Sequence, residues 1–213
     1  MTDARYRDYG YTDSGEGWAH AYLMPTVEAL IEKIRPRRVL EIGCGNGSTA
    51  NRLARRGNLE IVAVELSESG IEQARANMDP RFAVQFEVAS AYDDLVARFG
   101  RFDLVLSLEV IEHLYSPRLF VDRARDALSE GGHLILSTPF HGYWKNLALA
   151  ISGKLDDHFT ALWDGGHIKF WSERTLRALL EERGFNVDRF IRCGRVPPLA
   201  KSMIIVGRRK DSA

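Results

Sequence analysis

The chain is poor in cysteine, with only Cys44 and Cys193 among 213 residues. Two thiols cannot build the disulfide framework of a small secreted domain, and this usage suits a reducing cytoplasm. Excess charge is also missing: 29 basic residues balance 29 acidic ones, so no overall field draws in nucleic acid or an anionic membrane. The short basic clusters, Arg35, Arg37 and Arg38 around Pro36 and Arg208 to Lys210, read as solvated ends of elements rather than polyanion sites. No apolar run approaches the about 18 residues that span a bilayer. Residues 1–5 lack the basic patch and apolar core of a signal peptide. Repeats and low-complexity segments are absent. These absences predict a cytoplasmic protein with no membrane span and no nucleic-acid partner, a monomer or homodimer.

What is present is a regular alternation. Residues 1–17 form a polar, tyrosine-bearing arm, and residues 18–34 carry apolar side chains at helical spacing, as one helix or two hinged at Pro25. Strand-like runs then occupy residues 38–42, 61–65, 83–88, 103–107 and 133–137. Helical patterns lie between them at 48–56, 68–77 and 116–128, the last ended by Gly131-Gly132. A final helix at 172–183 precedes strands near 187–192 and 202–206. Strand and helix taking turns with short connections predicts βαβ units, hence a mostly parallel sheet with helices on both faces and a ligand at the carboxyl ends of the strands. The regularity breaks at residues 140–171, where aromatics mix with histidines and glycines. A stretch this long is expected to be a functional cap. Two parts follow: residues 1–35, an arm and helix covering the ligand site, and residues 36–213, the main domain with its cap.

The segment Glu41-Ile42-Gly43-Cys44-Gly45-Asn46-Gly47-Ser48 carries the chemistry. Alternating glycines permit positive-φ turns and a close approach between backbone and ligand. A dinucleotide-binding G-x-G-x-x-G would need its third glycine at Ser48, but here it falls at Gly47, and an acid, Glu41, precedes the loop. Glu65 ends the second strand, 18 residues after Gly47, where a carboxylate can accept the hydroxyls of a ribose. The bland alternatives are that Glu41 caps the turn and that Glu65 is a solvated strand end.

This loop resembles that of class I S-adenosylmethionine-dependent methyltransferases. Phe102 to Leu114, with Leu108-Glu109-Val110-Ile111-Glu112-His113, resembles the fourth motif of the ubiquinone-biosynthesis O-methyltransferase type. The likeness covers about residues 37–139. It implies a Rossmann-like α/β fold with seven strands in the order 3-2-1-4-5-7-6, the last one antiparallel. It also implies S-adenosylmethionine as methyl donor, S-adenosylhomocysteine as product and a small-molecule acceptor. Carried over residue by residue, the donor site comprises Glu41, Gly43, Cys44, Gly45, Gly47, Glu65, Leu66, Ser90, Ala91, Leu108 and Glu109. Ser90 stands where many members place an Asp for the adenine amino group. The E-x-x-E-H run Glu109, Glu112 and His113 resembles a proposed divalent-metal segment, although a capping carboxylate beside a core-facing histidine is the first reading and no metal is assigned.

In-line methyl transfer needs an aligned nucleophile and exclusion of water. A hydroxyl acceptor also needs a base, for which His113, His141 and His167 are the candidates. Tyr143, Trp144, His158, Trp163 and Trp171 of the cap are expected to clamp the acceptor or to anchor the insertion, and Tyr9, Tyr11, Trp18 and His20 to fold over the donor. Methylation of a peptide or protein carboxylate, a non-catalytic donor-binding module and a nicotinamide-dependent oxidoreductase remain as alternatives.

Overall fold

The computed structural model describes residue 17 and residues 19–159, 161–163 and 165–211. Tyr9, Tyr11 and Trp18, expected to fold over the donor, lie outside these residues. Helix α1 (His20–Ile34) opens the described fold. It runs unbroken through Pro25 because Leu23, Met24, Val27, Leu30 and Ile31 share one buried face. That burial outweighs the single hydrogen bond a proline removes. The helix stops at Arg35 in a left-handed conformation, just before Pro36.

Strand β1 (Arg38–Ile42), helix α2 (Ser48–Ala54), strand β2 (Glu60–Glu65), helix α3 (Glu68–Ala76) and strand β3 (Val84–Val88) form the first half. A short helix α4 (Leu95–Phe99) leads to strand β4 (Phe102–Leu108), a single 3-10 turn (Ile111–His113), helix α5 (Pro117–Ala127) and strand β5 (Leu128–Pro139). Helices α6 (Tyr143–Ile151) and α7 (Leu155–Phe159) follow, then α8 (Glu173–Glu182), β6 (Phe185–Cys193) and β7 (Ser202–Arg209).

The seven strands lie in the order β3-β2-β1-β4-β5-β7-β6. The first five pair in parallel, and β7 runs antiparallel to both β5 and β6. Apolar side chains fill both faces of the sheet, with α1, α2 and α3 over one and α5 and α8 over the other. Central strands buried on both sides explain the near-continuous apolar runs at 38–42 and 103–107.

Three local expectations are corrected. The helix before Gly131-Gly132 ends at Ala127, and strand β5 starts at once, with Leu128 opposite Phe102. The register then slips to Leu104 opposite His133, so the two glycines lie in a bulge within a strand. Helix α4 was not anticipated: at five residues it is too short to show a period, and Asp94 caps it by accepting from the Ala97 amide at 3.1 Å. The cap, expected to be irregular, contains α6 and α7, neither of which buries a residue.

Two glycines of the first loop serve the fold directly. Gly43 and Gly47 have φ of 80° and 75°. A Cβ at Gly43 would stand 2.4 Å from Val110 Cγ2, and one at Gly47 would stand 2.5 Å from Ala74 Cβ and 2.8 Å from Phe86 Cε1. Their missing side chains therefore make room for the protein's own packing rather than for a ligand, which corrects the reason given above for these two positions. Gly47→Ala should destabilise the fold by about 2–4 kcal/mol, combining left-handed strain with overpacking. Urea unfolding checks this, and a loss below about 0.5 kcal/mol, the range of neutral surface changes, would refute it.

Candidate functional site

The loop after β1 is stitched to β2. Gly43 and Cys44 donate their amides to the Val64 carbonyl at 2.8 and 3.1 Å. Gly45, with φ of 53°, donates to Glu65 Oε2 at 3.1 Å. Glu65 Oε1 accepts from the Leu66 and Ser67 amides at 2.8 and 3.0 Å, so this carboxylate closes one side of the loop. Leu66 is exposed beside it. Cys44 is a buried thiol and not half of a disulfide, as is Cys193.

Glu41 flanks the other side. It is 3% exposed, and its Oε2 has no hydrogen-bond partner among the described residues. Burial raises its pKa to about 8 and the charge of Glu65 adds to the rise, while hydrogen bonds from the Thr49 side chain and the Ala50 backbone partly offset both. A buried carboxyl with one uncompensated oxygen fits an incoming cation, which would supply the missing donor and favour the charged form. The two acids that the sequence placed on either side of the loop thus face one locus.

At the carboxyl end of β3, Ser90 does not stand alone. Its amide donates to Asp93 Oδ2 at 3.0 Å, and its Oγ accepts from Tyr92 at 3.2 Å. An aspartate therefore borders this turn three residues later than the expected position, beside the half-buried Ala91.

At the end of β4, Leu108 is half-buried and Glu109 takes a positive φ of 55°, a strained conformation for a non-glycine residue. Its carboxylate turns toward β5 and β7, where Oε1 accepts from Ser137 Oγ at 2.7 Å and Oε2 from Ser202 Oγ at 3.1 Å. Tyr22 of α1 donates in turn to Ser202 at 3.1 Å. Burial raises the Glu109 pKa to about 7, against the two serine hydroxyls and the charge of Lys145. Lys145 donates to the carbonyls of Phe140 and Lys201 at 2.9 and 3.3 Å and so ties α6 to the sheet. Lys145, Ser137 and Ser202 escape sequence reasoning, because each acts through partners distant along the chain.

The 3-10 turn brings a second cluster together. One ligand atom each from Glu112, His113 and His167 lies within 4.8 Å of the others. Glu112 is fully buried, and neither of its carboxyl oxygens has a hydrogen-bond partner among the described residues. Burial holds its pKa well above the ordinary carboxylate range, and the charge of Glu109 adds to this. His113 Nδ1 donates to the Gly165 carbonyl at 2.8 Å, which leaves the lone pair on Nε2. The Ile168 and Lys169 amides both donate to the Glu112 carbonyl at 2.9 Å, and this pins His167 over the turn. Burial and the charge of His113 lower the His167 pKa to about 4, so its imidazole is neutral near pH 7. Of the expected Glu109, Glu112 and His113 grouping, the structure brings Glu112 and His113 together with His167, while the Glu109 carboxylate turns to Ser137 and Ser202.

The cap residues divide. Trp163 sits edge-on to His113, with ring centroids 5.6 Å apart, and also neighbours His167. His141, His158, Phe159 and Phe170 form a separate ring cluster, in which burial and the charge of Lys145 lower the His141 pKa to about 4. Tyr143 and Trp144, expected to clamp the acceptor, are 73% and 65% exposed on α6 and pair with each other. Trp171 is partly buried and packs against the core.

A strand order with one antiparallel member, a glycine loop at β1 and acids at the ends of β1 and β2 define a Rossmann-like methyltransferase architecture. A profile for the methyltransferase domain matches residues 16–189, and the chain belongs to that family. A ubiquinone biosynthesis O-methyltransferase of Bradyrhizobium diazoefficiens is 35% identical over 117 residues, 54% of this chain and 45% of that protein. One from Azorhizobium caulinodans is 32% identical over 164 residues, 74% of this chain and 62% of that protein. The chain thus spans about half the length of the first of these relatives. Among solved structures, an S-adenosylmethionine-dependent methyltransferase from Mesorhizobium loti superposes with a TM-score of 0.68 at 19% identity, covering 91% of this chain and 99% of that one. Magnesium protoporphyrin IX methyltransferase of Synechocystis, with bound S-adenosylhomocysteine, gives 0.68 at 19% identity over 88% and 84%. No helix among the described residues is long and apolar enough to cross a membrane.

If Glu41 must give up its proton when a cation arrives, affinity for S-adenosylmethionine should rise with pH and level off above about 8. Glu41→Gln should bind more weakly and show no such rise. Calorimetric titration between pH 6 and 9 checks both, and parallel profiles for the two proteins would remove Glu41 from the site.

Proposed function

We propose that the chain is an S-adenosylmethionine-dependent O-methyltransferase of a small-molecule acceptor, working in the cytoplasm. The observation that carries the reading is the juxtaposition of two unusual sites at neighbouring strand ends. The uncompensated Glu41 oxygen beside the glycine loop follows β1, and the Glu112, His113 and His167 cluster follows β4. Its similarity to ubiquinone biosynthesis O-methyltransferases supports the same reaction class.

The bound donor supplies an electrophilic methyl group on a sulfonium, and the protein does the rest by position and charge. Glu41, Gly43, Cys44, Gly45 and Gly47 receive the methionyl end, with Glu65 at the ribose and Leu66, Ser90, Ala91 and Leu108 around the nucleoside. Helix α1 borders this site through His20, which lies within hydrogen-bond distance of Ser48 and Thr49; residues 1–16 of the expected cover lie outside the described residues. Glu109 orients the strand-four tip toward the acceptor side through Ser137 and Ser202. His113 takes the acceptor's proton at Nε2, its ring fixed by the Gly165 carbonyl. His141 and His167, with pKa values near 4, are too weakly basic for that role near pH 7. Trp163 and His158 border the acceptor.

A second reading of the same cluster is favoured by the two Glu112 oxygens, which have no partner among the described residues: Glu112, His113 and His167 hold a divalent cation. Such an ion would lower the pKa of a phenolic or catecholic acceptor and orient it. A neutral His167 and a His113 fixed through Nδ1 suit that ligand role.

The absence of binding to both S-adenosylmethionine and S-adenosylhomocysteine in calorimetry of folded protein would overturn the donor reading. His113→Ala should leave donor affinity within about twofold and lower kcat by about 100-fold or more; equal turnover would make it structural. In the cation reading, a chelator abolishes turnover, and His167→Ala weakens Mn(II) binding about 10–100-fold by paramagnetic relaxation. Full activity after chelation would leave His113 acting alone.

A further inference from the structure

The first turn of α6 carries a cation that the protein does not neutralise. His141 and Lys145 stand on either side of the helix start, which the Asn146 amide closes by donating to the Gly142 carbonyl at 3.0 Å. The half-buried Lys145 ammonium reaches back to the residue before His141, donating to the Phe140 carbonyl at 2.9 Å and also to the Lys201 carbonyl at 3.3 Å. An ammonium has three N–H donors, so one is left over among the described residues. Neither carbonyl carries a charge. Glu109 is the acid whose charge Lys145 feels, but both oxygens of that carboxylate are held by Ser137 and Ser202. Burial and the charge of Arg195 lower the Lys145 pKa to about 8 against the pull of Glu109, so the group is still largely charged near pH 7. Such a cation is the reverse of Glu41: an incoming opposite charge offsets its desolvation.

The surroundings are unfinished in the same way. His141 Nδ1 and Asn146 Oδ1 are buried without a hydrogen-bond partner among the described residues, as are Thr138 Oγ1 at the end of β5 and Trp171 Nε1. Buried polar atoms of this kind are rare in a finished interior. His158, Phe159 and Phe170 wall the place with rings whose centroids lie 5.1 to 6.0 Å from that of His141, and beside such a wall an ion pair is strong. We infer that the acceptor is a hydroxy acid whose carboxylate, not itself methylated, pairs with the Lys145 ammonium and accepts from the His141 Nδ1–H, making Lys145 a specificity-determining residue. The Asn146 Oδ1 is left for a donor on the body of the same molecule. With His141 neutral, its pKa being about 4, one ammonium balances one charge, which suits a carboxylate better than a dianionic phosphate. A role for Lys145 as a mere strap between α6 and the sheet uses two of its donors and leaves the third, and His141 Nδ1, without a purpose.

The inference rests on the small-molecule acceptor reading, and its test keeps the two apart. Protein with and without saturating S-adenosylhomocysteine is titrated with para-hydroxyphenylacetate and with lactate, each against its methyl ester, by ligand-observed magnetic resonance. Inorganic phosphate is added as a competitor. At least one acid should bind about tenfold or more tightly than its ester, as expected for hydrogen bonds to a charged group, and equimolar phosphate should not displace it. Lys145→Met should abolish the difference, Lys145→Arg should keep most of it, and His141→Phe should reduce it. A strap would move acid and ester equally. Thermal melts confirm that the variants fold, and the comparison in unsubstituted protein decides even if Lys145→Met does not. Equal binding of acid and ester in both pairs, no binding of either acid, a preference that survives in Lys145→Met, or displacement by phosphate overturns the inference. Failure of S-adenosylhomocysteine to bind, with the acid preference present and lost in Lys145→Met, overturns the donor reading and leaves the anion subsite standing.

Discussion

Three amides of the loop after β1 are spoken for by β2: Gly43 and Cys44 by the Val64 carbonyl, Gly45 by the Glu65 carboxylate. That stitching depends on positive φ at three alternating positions and on side-chain-free contacts at Gly43 and Gly47. It decides where the rest of the site can be. With the loop drawn over the end of β2, Glu41 is sealed beneath it and Glu65 becomes its rim. Val110, just past β4, packs directly against the Gly43 backbone. The ends of β1, β2 and β4 are thereby brought to one place by backbone geometry before any ligand is considered.

The cost of this arrangement is visible in its acids. Glu41, Glu109 and Glu112 all sit where burial pushes the carboxyl toward its neutral form, yet each is treated differently. Glu109 is satisfied by two serine hydroxyls, whereas among the described residues Glu41 leaves Oε2 and Glu112 leaves both oxygens without a partner. Buried polar atoms without partners are rare in folded proteins and concentrate where a ligand completes them. The three acids thus differ in how far the protein's own groups satisfy them, from Glu109 with both oxygens bonded to Glu112 with both open among the described residues.

Much of this was legible in the sequence, for identifiable reasons. The parallel strands announced themselves as short apolar runs, and the order of Glu41, the glycines and Glu65 follows from strand-to-loop spacing along a single βαβ unit. What escaped depends on contacts between distant segments. No local pattern could show that Glu109 would look toward Ser202 or that His167 would land on His113. Nor could it show that Lys145 would bridge two loops or that Tyr143 and Trp144 would stay outside. The Leu128 to Gly132 stretch misled because leucine followed by glycines reads as a helix end, whereas tertiary pairing with Phe102 makes it a bulged strand. The glycines were placed correctly but partly for the wrong reason, since a sequence cannot distinguish room for a ligand from room for Phe86.

The way the insertion is fastened has a further consequence. Its return segment hangs by two amides from the carbonyl of Glu112, and the same segment delivers Gly165 and His167 to the imidazole of His113. Lifting this flap would strip His113 of its orienting carbonyl and remove His167 in one movement. Displacement of the segment and an intact Glu112, His113 and His167 grouping are therefore mutually exclusive.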